Sequence, residues 1–274
     1  EPSTAQQPTS EWTMFRRRMS PLTLPAELIP NYTTIEYALP RAPAGPPVFL
    51  WVIDTCVAAD ELQALKDSLE QTLQLLSSTC PNALLGLITF GTVVQVHELG
   101  YEHCGKSFAF KGTKDLTAQQ VGELLGLPSA SARGRGGGGG GGGGQPRDAH
   151  GAAARFLLPI PDAEFAISNV LADLRPDPWP VSSDSRPQRA TGVAMSVAVS
   201  LLEVAFPNTG ARTMLFVGGP CTTGPGQVVG LPLEEPIRSH SDIEKETAAT
   251  KHIKKALKHY QAVAKRATAA GHVV

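Results

Sequence analysis

Three short, continuous apolar runs dominate the sequence and restrict the folds that it can adopt. They are VFLWVID (Val48–Asp54), ALLGLITFG (Ala83–Gly91) and RTMLFVGG (Arg212–Gly219). A strand that shows one face to water alternates between apolar and polar residues, whereas a strand covered on both faces is a continuous apolar run. We therefore expect three buried strands in the interior of a sheet.

Segments with helical periodicity separate these runs. They are Asp60–Ser78, Thr117–Leu125, Asp162–Leu174, Pro187–Phe206 and Asp242–Ala270. Strands that alternate with helices indicate a mostly parallel sheet with helices on both faces, which is a doubly wound α/β fold. The alternating segment Thr92–Leu99 directly follows a buried run, so we expect an antiparallel hairpin at the edge of this sheet.

The remaining stretches predict the domain organisation. Residues 1–25 are polar and aperiodic, so we expect a disordered lead-in, followed by one domain over 26–274 that starts with a strand at Ile29–Leu39. Residues 129–153 include nine consecutive glycines and predict a flexible loop insertion. The chain starts at Glu1 and ends on the strand-like segment AGHVV, so we expect a fragment that is incomplete at its C-terminus.

Charge and cysteine usage exclude several classes of protein. The formal net charge is −1, which gives no electrostatic support for a nucleic-acid partner. Cys56, Cys80, Cys104 and Cys221 are far apart and form no C-x-x-C pair, so neither a zinc knuckle nor a disulfide scaffold is expected. No run of about 20 apolar residues exists, so no membrane-spanning helix is expected. These features are typical of a cytoplasmic protein with free thiols.

The first buried strand ends in an aspartate, as in von Willebrand A domains that bind a divalent cation. Those domains supply further oxygen ligands through an Asp-x-Ser-x-Ser signature, and here the segment is Asp54-Thr55-Cys56-Val57-Ala58. Cys56 and Ala58 have lost the hydroxyl groups, and one carboxylate holds a hard divalent cation poorly. We expect no metal here and interpret Asp54 as an acceptor for loop backbone amides.

An enzyme remains the alternative function. Residues 219–224, GPCTTG, match the first half of a phosphate-binding loop, but Pro225-Gly226 replaces the required Lys-Ser/Thr pair. Cys56 stands at a strand end, where a nucleophile could act, although no histidine has a spacing that places it nearby. The alternative is therefore an α/β hydrolase or nucleotide-dependent enzyme that uses Asp54 or Cys56.

Two further segments suggest binding surfaces. Trp179 lies in the proline-rich loop Leu174–Gly192, where an extended backbone favours either display to a partner or packing beneath the helix pair. The segment Asp242–Ala270 carries seven basic and three acidic residues. Its basic face is either solvated or directed at an anionic membrane surface or an acidic partner.

Several segments together resemble one known family. They are AELIPNYTTIEYALPR, PPVFLWVIDTCVAADELQALKDSL, NALLGLITFGTVVQVHELGY, FLLPIPDAEFAISNVLADLRPDPWPV and RPQRATGVAMSVAVSLLE. The family is the GTPase-activating subunit of the COPII vesicle inner coat, and the resemblance runs from Ala26 to Val274, interrupted by the polyglycine loop. The VIDTC and DPWPV segments favour this subunit over its cargo-selecting relative.

The resemblance implies a trunk domain of von Willebrand A type without a working metal site. Such a trunk pairs with the cargo-selecting coat subunit and docks on the Sar-type small GTPase, and the family also assembles with outer coat subunits. The family acts in endoplasmic-reticulum-to-Golgi transport, so the resemblance implies a peripheral location on the cytosolic face of the endoplasmic reticulum membrane and of COPII vesicles.

Two departures from the family limit the expected activity. The family has a four-cysteine zinc module before the trunk, and residues 1–25 contain no cysteine. Its catalytic arginine lies in a later domain, and such an arginine supplies about 10³–10⁵ in rate. We therefore expect no catalytic, cofactor-binding or metal-binding residue in this chain, which should bind the GTPase without accelerating hydrolysis.

Overall fold

The fold alternates strands with helices along the chain. The structure, a computed structural model, describes residues 45–101, 105–127, 153–245 and 250–274, together with residues 31, 33, 34 and 151. The elements are β1 (Val48–Asp54), α1 (Ala59–Thr79), β2 (Leu84–Phe90), β3 (Val93–Glu98), β4 (Lys106–Lys111), α2 (Ala118–Leu124), β5 (Leu157–Pro159), α3 (Ile160–Asp173), α4 (Thr191–Ala205), β6 (Arg212–Phe216), α5 (His240–Glu244) and α6 (Ile253–Ala269).

The three apolar runs form the parallel part of the sheet, as predicted. The expectation that all three are interior strands was wrong for β6, which lies at one end of the described strand order with Met214 38% exposed. Strand β1 pairs in parallel with β2 on one side and with β6 on the other. In this register Asp54 lies beside Phe90, and Ile53 lies beside Phe216. The carboxyl ends of the three strands therefore meet at one edge of the sheet, where open α/β sheets place their ligands.

The antiparallel part of the sheet is larger than the sequence predicts. Strand β3 pairs antiparallel with β2, which confirms the hairpin, but β4 pairs with the outer side of β3. The hairpin is therefore not the edge of the sheet, and β4 was missed because lysines at both its ends shorten the apolar signal of KSFAFK. The three-residue β5 pairs with the first half of β2.

Helices cover both faces of the sheet, which confirms the doubly wound α/β class. On one face Trp51 and Leu87 pack against α1 and α3. On the other face Leu50 and Ile88 pack against α2 and α4. Helix α6 packs on α4 through Val263 and Ala267. Helix α4 therefore lies between the sheet and α6, which explains why it is apolar almost all round.

Two predicted helix boundaries were wrong. Helix α4 begins at Thr191 rather than at Pro187. The residues before it stay non-helical, because Arg189 binds the ends of other loops. The predicted helix Asp242–Ala270 corresponds to the separate helices α5 and α6.

Several predictions concern residues outside the described ranges. These are the lead-in at 1–25, almost all of the strand at Ile29–Leu39 and almost all of the insertion at 129–153. Residues 31, 33 and 34, which are described, are not in a strand. The main structural unit spans Ala44–Val274. Within the described residues, no helix combines the length and apolarity that a membrane crossing requires.

Candidate functional site

The carboxyl edge of the sheet brings together three loops that are distant in sequence. Thr55, after β1, donates its backbone N–H to the carbonyl of Phe90 at 2.8 Å. Ala190, before α4, donates its N–H to the carbonyl of Gly91 at 3.0 Å. The parallel register makes this meeting possible, because it fixes all three strand ends at the same height.

Asp54 lies at the centre of this edge and is only 1% exposed. Its Oδ1 accepts the N–H of Cys56 at 2.8 Å, and its Oδ2 accepts the N–H of Gly218 at 2.9 Å. The carboxylate therefore joins the loop after β1 to the loop after β6. This is the role in backbone hydrogen bonding that the sequence predicts for Asp54.

Arg189 neutralises this carboxylate, and sequence reasoning missed it. Its side chain is almost completely buried, and its Nε lies 2.5 Å from Oδ2 of Asp54. The same guanidinium donates from Nη2 to the carbonyl of Cys56 at 2.5 Å. Asp54 and Arg189 are 135 residues apart, so no local spacing could have indicated the pair.

The residues present do not fit a divalent cation. Such an ion needs six or more oxygen ligands at about 2.0–2.6 Å. Here Asp54 is the carboxylate at the strand end, and a positively charged guanidinium already contacts it. Cys56 and Ala58 offer no hydroxyl oxygen. Among the described residues, no group of three His, Cys, Asp or Glu side chains could hold a metal.

The thiol of Cys56 is a poor nucleophile. Burial raises its pKa to about 12, and the nearby carboxylates of Asp54 and Asp177 add to this effect. The thiolate is the reactive form of cysteine, so this side chain stays protonated and unreactive at neutral pH. Its Sγ lies 3.6 Å from the carbonyl oxygen of Gln188.

The loop after β6 does not present its amides to a phosphate. The N–H of Thr222 donates to the carbonyl of Arg189 at 3.1 Å, and the N–H of Thr223 donates to the same oxygen at 3.4 Å. The hydroxyl of Thr222 donates to the carbonyl of Pro187 at 2.6 Å. These groups hold the segment before α4, so the geometry argues against the nucleotide-loop alternative.

The loop that carries Trp179 is fixed at its start and displayed in its middle. Asp177 donates its N–H to the carbonyl of Thr55 at 2.9 Å. Its carboxylate accepts the N–H of Thr92 at 2.5 Å and the N–H of Trp179 at 2.8 Å. Trp179 and Val181 are nevertheless 53% and 48% exposed. The structure thus places Trp179 at the surface rather than beneath the helix pair.

The end of the same loop is equally well fixed. The guanidinium of Arg186 donates to the carbonyls of Pro232 at 2.5 Å and Glu235 at 2.8 Å. The N–H of Arg186 donates to the carbonyl of Leu231 at 2.7 Å. Two exposed apolar side chains therefore project from a segment with anchored ends. This anchoring lowers the entropic cost of ordering the loop when a partner binds.

A groove of about 730 Å³ continues from this loop between the β3–β4 hairpin and α3. Phe165, which is 77% exposed, lies along it, and His97 lies in its wall. Burial lowers the pKa of His97 to about 4, so the ring is neutral at physiological pH. His97 therefore does not supply a charge to the groove, whose lining mixes apolar side chains such as Phe165 with charged ones such as Lys106 and Asp173.

Comparisons with known proteins point to a family of coat proteins. Residues 44–274 match the model described as the Sec23/Sec24 trunk domain. The crystal structure of the human COPII-coat protein Sec24c shows 15% sequence identity and a TM-score of 0.48. That match covers 84% of this chain and 26% of the Sec24c chain, so this chain spans about a quarter of that protein.

Proposed function

Since the chain belongs to the Sec23/Sec24 trunk domain family, we propose that it works as the trunk module of a COPII coat subunit. Its role is binding and scaffolding in endoplasmic-reticulum-to-Golgi transport, on the cytosolic face of the endoplasmic reticulum membrane. The observation that carries the proposal is the family match over residues 44–274. The carboxyl edge supports it, because Asp54 is neutralised internally and the Cys56 thiol is protonated.

The proposed subunit type is the GTPase-activating one. The VIDTC segment at the end of β1 and the DPWPV segment around Trp179 support this choice. The proposed partners are the cargo-selecting subunit, a Sar-type small GTPase and the outer coat subunits. A supplied arginine accelerates GTP hydrolysis by about 10³–10⁵. The resemblance implies that the activating arginine of the family lies in another domain, so we expect GTPase binding by this chain without acceleration.

The loop around Trp179 is the proposed surface for pairing with the cargo-selecting subunit. Exposed tryptophans are enriched among residues that dominate binding energy. Asp177 and Arg186 hold the two ends of the loop, so Trp179 and Val181 are already arranged for contact. A displayed aromatic and its apolar neighbour suit a partner that buries both.

The pairing can be measured as the dissociation constant between this chain and the cargo-selecting subunit. Trp179→Ala should raise it by about 30-fold, because truncating an interfacial hot spot costs about 2 kcal/mol or more. Leu75→Ala is the matched control, since Leu75 is 62% exposed on α1 and lies outside this loop. Both variants should keep the wild-type circular dichroism spectrum.

Three results would count against these proposals. Unchanged affinity of a folded Trp179→Ala variant would place the pairing surface elsewhere. No binding by the folded wild-type chain would contradict the pairing itself. Acceleration of GTP hydrolysis by the chain alone would contradict a binding-only role and would require a search for an activating arginine.

A second surface, on α6, supports a proposed contact with anionic membrane. Lys254, Lys258 and Lys265 are spaced so that they share one face with Lys255, and all four are exposed. The buried residues Ala256, Val263 and Ala267 lie on the other side. The helix contains no acidic residue to offset this charge.

Vesicle sedimentation tests the membrane contact. Near an anionic surface each lysine contributes about 1 kcal/mol, so Lys254→Glu combined with Lys258→Glu should reduce binding to phosphatidylserine vesicles by about tenfold or more. Lys114→Glu changes one exposed lysine outside α6 and should have a small effect. Equal binding by the double variant and the wild type would contradict the membrane contact and would mean that the basic face is only solvated.

A further inference from the structure

We propose that Arg189 is a built-in cation that occupies the place of a divalent ion at the carboxyl edge of the sheet. Its guanidinium contacts three oxygens: Oδ2 of Asp54, the carbonyl of Cys56 and, at 3.4 Å, the carbonyl of Pro220. One oxygen is a carboxylate at the end of β1, and the others belong to the loops after β1 and β6. These are the loops that a cation at this edge would join.

The backbone of Arg189 extends the connection to a third segment. Its N–H donates to Oγ1 of Thr222 at 2.8 Å, and its carbonyl accepts the N–H of Thr222 at 3.1 Å. The residue therefore ties the segment before α4 to the loop after β6 through its backbone, and the loops after β1 and β6 through its side chain. A free ion would supply only the second of these links.

The surroundings are shaped for a planar guanidinium. A Cβ added at Gly219 would lie 2.4 Å from Nη1 of Arg189, so this glycine lets the backbone approach the guanidinium. Asp54 and Arg189 are both almost fully buried, and an unpaired buried charge would be strongly destabilising. A planar fork donates to a carboxylate and a carbonyl together in a fixed geometry, whereas the ammonium of a lysine is a compact point charge with rotatable donors.

This arrangement has a functional consequence for a scaffold. A divalent cation would make the loop geometry depend on ion concentration, whereas a covalently attached guanidinium cannot dissociate. The loop that carries Trp179 leads directly into Arg189, so the same pair also fixes the end of the displayed segment. The edge should therefore keep its shape in the presence of chelators and at any physiological magnesium concentration.

Chemical rescue with small guanidinium ions tests the assignment in the full chain. Arg189→Gly removes the side chain and should lower the unfolding temperature by about 10 °C, since breaking a buried pair costs several kcal/mol. Millimolar ethylguanidinium chloride should raise that temperature again, relative to equal sodium chloride, because a ligand of the native state stabilises it. Magnesium chloride and EDTA should leave the wild type unchanged.

Arg186→Gly is the matched control for this rescue. Arg186 also bridges loops through carbonyl oxygens, but without a carboxylate partner. Ethylguanidinium should not restore this variant or stabilise the wild type. Equal responses of the two variants, or no response of a folded Arg189→Gly variant, would overturn the proposal. Magnesium stabilisation of the wild type that Asp54→Ala abolishes would overturn it as well.

A double-mutant cycle tests the coupling between Asp54 and Arg189 even if Arg189→Gly does not fold. Asp54→Asn and Arg189→Met each leave one buried partner behind, whereas the double variant leaves neither charge. The unfolding temperature of the double variant should be no lower than that of the less stable single variant. If Arg189→Met does not fold, the double variant should still fold. Two outcomes would show that Arg189 acts independently of Asp54. In the first, the losses in unfolding temperature of the two single variants add up fully in the double variant. In the second, Asp54→Asn is stable, but Arg189→Met and the double variant are both unfolded.

Discussion

The ammonium nitrogen of Lys66, in α1, lies 3.2 Å from the carbonyl oxygen of Ala172, in α3. It also lies 3.3 Å from the carbonyl oxygen of Leu174, which caps the same helix. Helix α3 has no basic residue in its own last turn. Arg175 donates from Nη1 to the same two oxygens at 2.7 Å and 3.0 Å. Lys66 therefore shares with Arg175 the role of satisfying the carboxyl end of α3 and complementing its dipole.

Replacing Lys66 with methionine should lower the free energy of unfolding by about 1–2 kcal/mol. The variant keeps the apolar stem but loses one of two positive charges at the carboxyl end of α3 and two hydrogen bonds to carbonyl groups, which Arg175 still contacts. Urea denaturation measures the change. Lys254→Met, at an exposed position, should change stability by less than about 0.5 kcal/mol. Equal effects of the two substitutions would contradict the capping role of Lys66.

Gly91→Ala should destabilise the carboxyl edge by about 1–3 kcal/mol, as overpacking does. A Cβ at this position would lie 1.9 Å from Oδ2 of Asp177 and 2.8 Å from Oγ1 of Thr55. The carboxylate could move away only by losing its hydrogen bond to Thr92. Thermal unfolding measures the loss.

Gly122→Ala is the control for this substitution. Gly122 lies within α2, and the nearest atom to an added Cβ belongs to Val204 at 3.6 Å. Alanine in a helix is favoured over glycine by about 0.5–1 kcal/mol, so this variant should be slightly stabilised. A Gly91→Ala protein as stable as the wild type would mean that the Asp177 contacts do not constrain the loop.

The parallel pair β1 and β2 could be predicted because both strands are buried on both faces. Trp51 and Val52 point to opposite faces and are both fully buried, so the run VFLWVID shows no polar alternation. The backbone hydrogen bonding of Asp54 could also be predicted locally, since one of its acceptor oxygens binds the N–H of Cys56, two residues later. Burial and local spacing can therefore be recognised directly from the pattern of residue types in a sequence.

The key contacts of the candidate site could not be predicted, because they join distant residues. Arg189 lies next to an apolar helix, and its position alone suggested the first turn of that helix. Its partner Asp54 comes from a strand 135 residues earlier. Likewise, the sequence alone left Trp179 either buried or exposed, since the hydrogen bonds of Asp177 to Thr92 and Trp179 decide the path of the loop.

Arg266→Met should weaken the packing of α6 on α4 and lower stability by about 1–2 kcal/mol. The guanidinium donates to Glu203 from Nε at 3.2 Å and from Nη2 at 2.6 Å, and Nη2 also donates to Ser200 at 2.7 Å. Amide hydrogen exchange in α6 should rise in this variant. Lys265→Met changes the neighbouring exposed residue and should leave exchange unchanged; equal exchange in both variants would contradict the role of Arg266.

The stability of the protein should depend on pH through His97. The ring lies on β3, and its Nε2 is 2.9 Å from Oγ1 of Thr89 on β2. Burial lowers its pKa from 6.5 to about 4 in the folded protein. The unfolded state therefore binds the proton first, and the free energy of unfolding falls as the pH drops from about 6.5 to about 4. The loss should be about 3 kcal/mol and should level off below that range.

His97→Gln removes this titration and keeps a polar side chain opposite Thr89. Urea denaturation at a series of pH values should show a flatter dependence for His97→Gln than for the wild type. Some slope should remain, because burial also lowers the pKa of His272. His240 is exposed, so His240→Gln should keep the full wild-type slope. If His97→Gln kept it too, the neutral, buried ring would not be the origin of the acid sensitivity.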